Sequence, residues 1–347
     1  MNLGIAAPSQ NMVALEGKNK ISNEFLKGTD DEDQKNGGID IDMINGDKGY
    51  YVELGVGTPP QYLRFHIDIN NDYSWIVSNE CRNCFFDQQS RRTFNGANSE
   101  SREVGNGFVL RKPGSFLGGN LSKDIVRLNP ENSENVEFVE IDLSSIPLDP
   151  NIIYDGLIGI GYPKADSSEQ RGYNGALIEK YLKNKILSIN LKPGVEKFSL
   201  GYQNKQKTTR ETIWISPTKQ NPFKFDSDIV TIGQNEFRFQ QKVIVNPKYQ
   251  KIYLPSEQFD FIKNSIQNSE NCKDINSLPA LTISVGDKFL TLEPKDYITF
   301  KDGICESDIE EVDGEIFCPE NIVLGQIFLQ KYVVTLDYGN HKIGFSE

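Results

Sequence analysis

The sequence predicts a mostly-β protein with a few short helices, built as two β-rich halves of similar plan. Three observations carry that expectation. Short β-branched or aromatic runs bounded by Gly, Asn, Asp or Pro outnumber helical stretches along the chain. Helical periodicity is confined to two segments. An apolar-apolar-Gly segment, Leu157-Ile158-Gly159, recurs as Val323-Leu324-Gly325, each downstream of a strand that ends in Asp or Asn.

Taken in order, residues 1–38 contain "KGTDDEDQKNGG" and read as a polar extension loosely attached to the body, able to lend an edge strand. The predicted strands then run through "GYYVELGVG", "LRFHIDI", "YSWIVS", "FVEIDL" and "GLIGIG" in the first half. In the second half they run through "KFSLGY", "TIWIS", "DIVTIG", "KVIVN", "LTISVG" and "YVVTLDYG". Between and within these, "GALIEKYLKNKIL" sets Leu177, Tyr181 and Leu182 on one helical face. "SEQFDFIKNSI" does the same with Phe259, Ile262 and Ile266, with Ser256 as the expected N-cap. The domain boundaries expected from this order are an extension at 1–38, one lobe at 39–197 and a second at 198–347, whose last strands join an inter-lobe sheet.

At 347 residues the chain can bury one large or two medium cores, and its 25% charged content fits a folded globular protein. The net charge of −12 argues against nucleic acid or an anionic membrane as the main partner, because either would want a basic stripe. No apolar run approaches the ~20 residues of a membrane helix. The opening "MNLGIAAPSQNM" lacks the basic flank and apolar core of a signal peptide, as expected of a mature form carrying an added Met or of a chain without a leader.

Of five cysteines, Cys81 and Cys84 form "CRNC". Half a zinc site would need two more ligands, and the chain holds only His66 and His341 as imidazoles. A redox motif should open a helix, whereas "SNECRNCFFDQQS" reads as loop. A loop-closing disulfide is the expectation, with no metal and no cofactor. The odd count leaves one thiol over.

From about residue 40 to the end, the sequence resembles the pepsin-like aspartic proteases. "YYVELGVGTPPQYLRFHID" is similar to the family's first strand pair leading to its first catalytic Asp, and Trp75 falls at the family's offset after it. "YDGLIGIGYP", "SLPALTISVGDKFLTLEPKDYI" and "NIVLGQIFLQKYVVTLDYGNHKIGF" resemble later segments. The resemblance implies the bilobal acid-protease fold with a central cleft. It also implies pairing of Cys81 with Cys84 and Cys272 with Cys305, leaving Cys318 as a buried, inert thiol.

The family's chemistry needs two carboxylates sharing one proton, one ionised as general base and the other protonated as acid. Each sits in an Asp-Thr-Gly turn. Here the first turn reads Asp68-Ile69-Asn70-Asn71 and the second Asn246-Pro247-Lys248-Tyr249. Asp68 is the retained first position and Asn246 the substituted second, where a carboxamide offers no titratable proton. Arg111 stands where the family's flap has Tyr, in "FVLRKPGSFLGG" beside Gly114 and Ser115, and Gln326 replaces a frequent Asp. The expected cleft and flap residues are therefore Asn71, Trp75, Arg111, Gly114, Ser115 and Lys248. A buried lone carboxylate needs a partner, so Lys248 or Arg111 is expected within salt-bridge reach of Asp68. Lys248 at positive φ would be strained, so a reshaped loop is expected.

The functional expectation is a non-enzymatic monomer whose cleft binds an unidentified peptide, protein or small ligand. The alternatives are an atypical active endopeptidase and an enzyme inhibitor on the same scaffold. A secretory or vacuolar location follows from the disulfide reading and the resemblance. Asn120 in "NLS" is a candidate glycosylation site.

Overall fold

A computed structural model describes residues 38–46, 49–68, 73–84, 92–112, 115–145, 154–161, 185–218, 223–268, 275–301, 304–314 and 318–347. The side chains at 110–112, 115, 267–268, 300–301 and 304 fall outside that description. So do Asn71, Gly114, Cys272 and the predicted helix around Leu177, Tyr181 and Leu182.

Strands dominate, as the sequence predicts. They form a 13-stranded sheet together with sheets of five, four and two strands. In the Gln61–Asp68 strand the first residues alternate, whereas Phe65, His66, Ile67 and Asp68 are all buried, because the end of the strand is covered on both faces. That end pairs in parallel with Gly156–Gly159, setting Asp68 opposite Gly159. The second half repeats the arrangement. Gln241–Val245 pairs in parallel with Ile322–Leu324, setting Val245 opposite Leu324. Each parallel pair delivers one loop of the expected site, so the weak repeat in sequence is a repeat in register.

Ile39–Gly46 splits its pairing. Its first residues lie against Lys197–Leu200, with Ile39 opposite Leu200, and its last lie against Gly49–Val56. Lys197–Leu200 continues through Ile186–Asn190 to the C-terminal hairpin of Val333–Asp337 and Lys342–Ser346. One hydrogen-bonded sheet thus ties Ile39–Gly46 to the C-terminal hairpin, and one apolar cluster runs from Ile41 and Leu54 to Val334 and Phe345. Burial of that shared surface joins the two halves. The expected boundary at 197/198 falls inside the Lys197–Leu200 strand.

Three local expectations are corrected. The end of the predicted helix "GALIEKYLKNKIL" is strand, because Ile186 and Leu187 open Ile186–Asn190, buried between two neighbouring strands. Pairing on both sides overrides local helical periodicity there. Ser256 opens the Ser256–Asn268 helix but does not cap it through its side chain, whose hydroxyl donates to the Glu311 carboxylate. Cys318 is free but exposed, because its carbonyl anchors the turn before Ile322–Leu324 by accepting from Asn321 N–H at 2.9 Å.

The Cys81–Cys84 disulfide forms, with Cα atoms 5.8 Å apart. Asn83, between them, adopts φ of +59° and donates its amide to Ser144 O at 3.0 Å. Cys305 is also disulfide-bonded. No helix among the described residues is long and apolar enough to cross a membrane.

Candidate active site

Asp68 ends its strand buried, at 2% exposure. Its carbonyl accepts from Ile160 N–H at 2.9 Å, which fixes the strand end against the Gly156–Gly159 segment. Ser74 Oγ accepts from Gly159 N–H at 3.2 Å and holds the same segment from the far side of the turn. Trp75 stands in a small apolar cluster with Tyr73, Val77, Val139 and Tyr154, its ring 6.3 Å from that of Tyr154. Tyr154 in turn stacks on His66 at 4.7 Å. The residue two before Asp68 is therefore an aromatic support.

The second loop begins where Asn246, fully buried, donates its N–H to Leu324 O at 2.9 Å. Its Oδ1 accepts from Lys248 N–H at 3.0 Å, an Asx turn that sets the loop's shape. Lys248 is not among the described residues with left-handed backbone. Lys248 therefore sits in the loop without the strain of a left-handed backbone. Asn246 Nδ2 is buried without a hydrogen-bond partner among the described residues.

Lys248 brings the two loops together. Its Nζ lies 3.9 Å from Asp68 Oδ2, with the lysine one-third exposed and the carboxylate 3% exposed. The same ammonium lies 5.7 Å from the centre of the Tyr249 ring. Burial raises the Tyr249 pKa, and the Asp68 charge and Tyr253 raise it further. His66 is pushed down to about 3, chiefly by burial and then by the Lys248 charge, so it is neutral at pH 7. Its Nδ1 also has no hydrogen-bond partner among the described residues. Arg111 lies in the Glu103–Lys112 strand with its backbone opposite Phe116, and the position of its side chain lies outside the described residues. Among the described residues no cluster of His, Cys, Asp or Glu suits a metal.

The sequence does not announce the role of Gln326. Its side chain is buried, accepts from Tyr50 N–H at Oε1 (3.1 Å) and donates from Nε2 to Pro247 O (2.7 Å). Gln326 N–H also donates to Tyr249 O at 2.8 Å. One amide thus fastens the second loop to the Gly49–Val56 strand of the N-terminal half. Gly49 has φ of +111°, and a Cβ there would lie 2.7 Å from Gln326 Oε1, so the tie needs glycine at that point. The one visible signal was its place after Val323-Leu324-Gly325.

Asn120 sits mid-strand, half-buried, with Nδ2 donating to Asp142 at 3.3 Å. Among the described residues, the two loop ends bring together the Asp68 carboxylate, the Lys248 ammonium and the Asn246 carboxamide. That set can bind and neutralise. It holds no pair of carboxylates with a proton between them at the two aligned positions.

A family model described as eukaryotic aspartyl protease matches residues 49–347. Vacuolar protease A of Aspergillus fumigatus is 24% identical over 86% of this chain and 78% of its own length. Pepsin-2B of Gadus morhua is 26% identical over 86% of this chain and 96% of its own. Renin-2 of Mus musculus is 23% identical over 86% and 79%.

Proposed function

The chain belongs to the eukaryotic aspartyl protease family, and from that premise we propose that it has given up hydrolysis and keeps the groove between two lobes for binding. The occupant is a peptide, a partner protein or a small ligand. The observation that carries this reading is the replacement of the second carboxylate by Asn246, with Lys248 brought to 3.9 Å from Asp68. The Lys248 ammonium thus occupies the place beside the remaining carboxylate that the family's chemistry gives to a second acid. Hydrolysis by two carboxyl groups needs one of them to donate a proton to the substrate carbonyl. Neither Asn246 nor a Lys248-paired Asp68 performs that task. Removing one of two cooperating groups costs several powers of ten in rate.

Asp68 then serves as anchor for Lys248, and Asn246 as the turn that presents it. Trp75, Asn71 and the flap around Arg111, Gly114 and Ser115 would border the bound ligand. The Cys81–Cys84 disulfide suits an oxidising secretory or vacuolar compartment, in keeping with the vacuolar name of one relative.

Retention of Asp68 at its strand end favours a second reading, an endopeptidase with an atypical site. Incubating the purified chain with a mixed peptide library from pH 3 to 7 separates the two. The expected result is no pepstatin-sensitive cleavage, together with recovery of bound peptide or partner. Cleavage abolished by Asp68→Asn would overturn the binding reading.

A further inference from the structure

At the far end of the short Gln326–Lys331 helix from the Pro247 tie, a pocket of about 610 Å³ is lined by Lys192, Lys207, Lys295 and Lys331, with Asp296 and Glu347. Four ammoniums around one depression are out of keeping with a chain of net charge −12. The two acidic side chains are already committed. Lys331 Nζ takes Asp296 at 2.6 Å and Glu347 at 3.7 Å, and Arg210 takes Glu347 at 2.8 Å. The main-chain oxygen of Glu347 accepts from Thr209 and Arg210 N–H at 2.6 and 3.3 Å. Lys192, Lys207 and Lys295 have no carboxylate within 4.0 Å among the described residues. Lys207 donates only to the neutral carbonyl of Pro193, and it is held there by a left-handed backbone with φ of +57°.

We propose that this pocket is a binding site for a tetrahedral oxyanion, a phosphate or sulfate group, held by Lys192, Lys207 and Lys295. Three like charges at one depression repel one another and leave their N–H donors to water. A multivalent anion relieves both conditions at once, with charge-assisted hydrogen bonds to several of its oxygens. Lys331 remains the structural cation, tied to the two acids that shape the floor. Burial lowers the Lys192 pKa, the nearby Glu347 charge partly offsets it, and the Lys331 charge lowers it further. The site stands apart from Asp68 and Asn246 and does not depend on whether the groove binds or cleaves.

Calorimetric titration of the full chain at pH 7 and low salt tests it, with inorganic pyrophosphate as one probe and a heparin-derived tetrasaccharide as the other. Saturable binding at one site is expected. Lys192→Gln, Lys207→Gln and Lys295→Gln should each weaken it about fivefold to tenfold, as loss of one charge-assisted contact does. The triple variant should abolish it. Lys288→Gln, on a distant strand, should leave it unchanged. The tighter probe assigns the source, a phosphorylated molecule or a sulfated glycan. Circular dichroism and thermal melting show whether the substitutions, at exposed Lys207 and Lys295 and half-buried Lys192, leave the fold intact. Absence of saturable binding by either probe, binding that survives the triple variant, or equal weakening by Lys288→Gln would each overturn the site.

Discussion

Lys248 Nζ stands 3.9 Å from Asp68 Oδ2, so a cation from the C-terminal half answers the buried carboxylate that ends a strand of the N-terminal half. Residues 180 positions apart (248 − 68) meet because each follows a strand of the same parallel plan. Replacing Lys248 by Met takes the cation from a 3%-exposed acid. A loss of about 1–3 kcal/mol at pH 7 is expected, below the full cost of a buried pair because the lysine is one-third exposed. Urea unfolding of Lys248→Met, Asp68→Asn and the double variant measures it. In the double variant the two losses should not add, and additivity would mean that the pair is not coupled.

Restoring the second carboxylate alone should not restore hydrolysis. In Asn246→Asp the new acid lies next to Lys248, whose charge favours its ionised form, and the first turn still lacks Thr and Gly. No pepstatin-sensitive peptide cleavage is expected between pH 3 and 7. Turnover by Asn246→Asp with Lys248 intact would show that the lysine does not disable the site.

His66 supplies a pH dependence. Its pKa falls to about 3 in the folded protein, against about 6.5 when unfolded. Between those values the unfolded chain binds the extra proton, so stability is fully present above about pH 6.5 and is lost as the pH falls toward 3. The slope approaches about 1.4 kcal/mol per pH unit for one such group. Burial and then the Lys248 charge lower the His66 pKa, and a hydrogen bond with the Tyr50 backbone partly opposes them. His66→Phe keeps an aromatic face against Tyr154 and removes the titration. Its urea midpoint should fall less between pH 7 and 4 than that of the parent, and an identical slope would exclude His66 as the source.

Gln326→Leu should be among the more damaging single substitutions. It leaves Tyr50 N–H without its buried acceptor and Pro247 O without its donor. About 2–4 kcal/mol is expected, from two orphaned backbone groups. A loss below about 0.5 kcal/mol would mean that the tie contributes nothing. Gln326→Glu is the milder comparison, since it still accepts from Tyr50 but presents an oxygen to Pro247 O.

Much of this molecule is determined by local sequence. Alternating and fully apolar runs mark the strands, and the matched pair of apolar-apolar-Gly segments marks the repeat. Asp68 and Asn246 are legible as the candidate site positions because the segments around them resemble the family's two catalytic turns. The exchange of carboxylate for carboxamide needs no coordinates. What the tertiary structure decided are contacts between residues far apart in the chain. Examples are the stacking of His66 on Tyr154 and the double tie of Gln326, whereas Lys248 is already one of the two cations that the sequence offers as a partner for Asp68. The turn of Ile186–Asn190 from helical periodicity to strand belongs with them. Hydrophobic period reports only which face of an element is buried. It is silent on which distant polar group meets another, because that depends on how two sheets close over a shared core. The lysine pocket has the same origin, since its cations come from four separated segments that only the folded chain gathers.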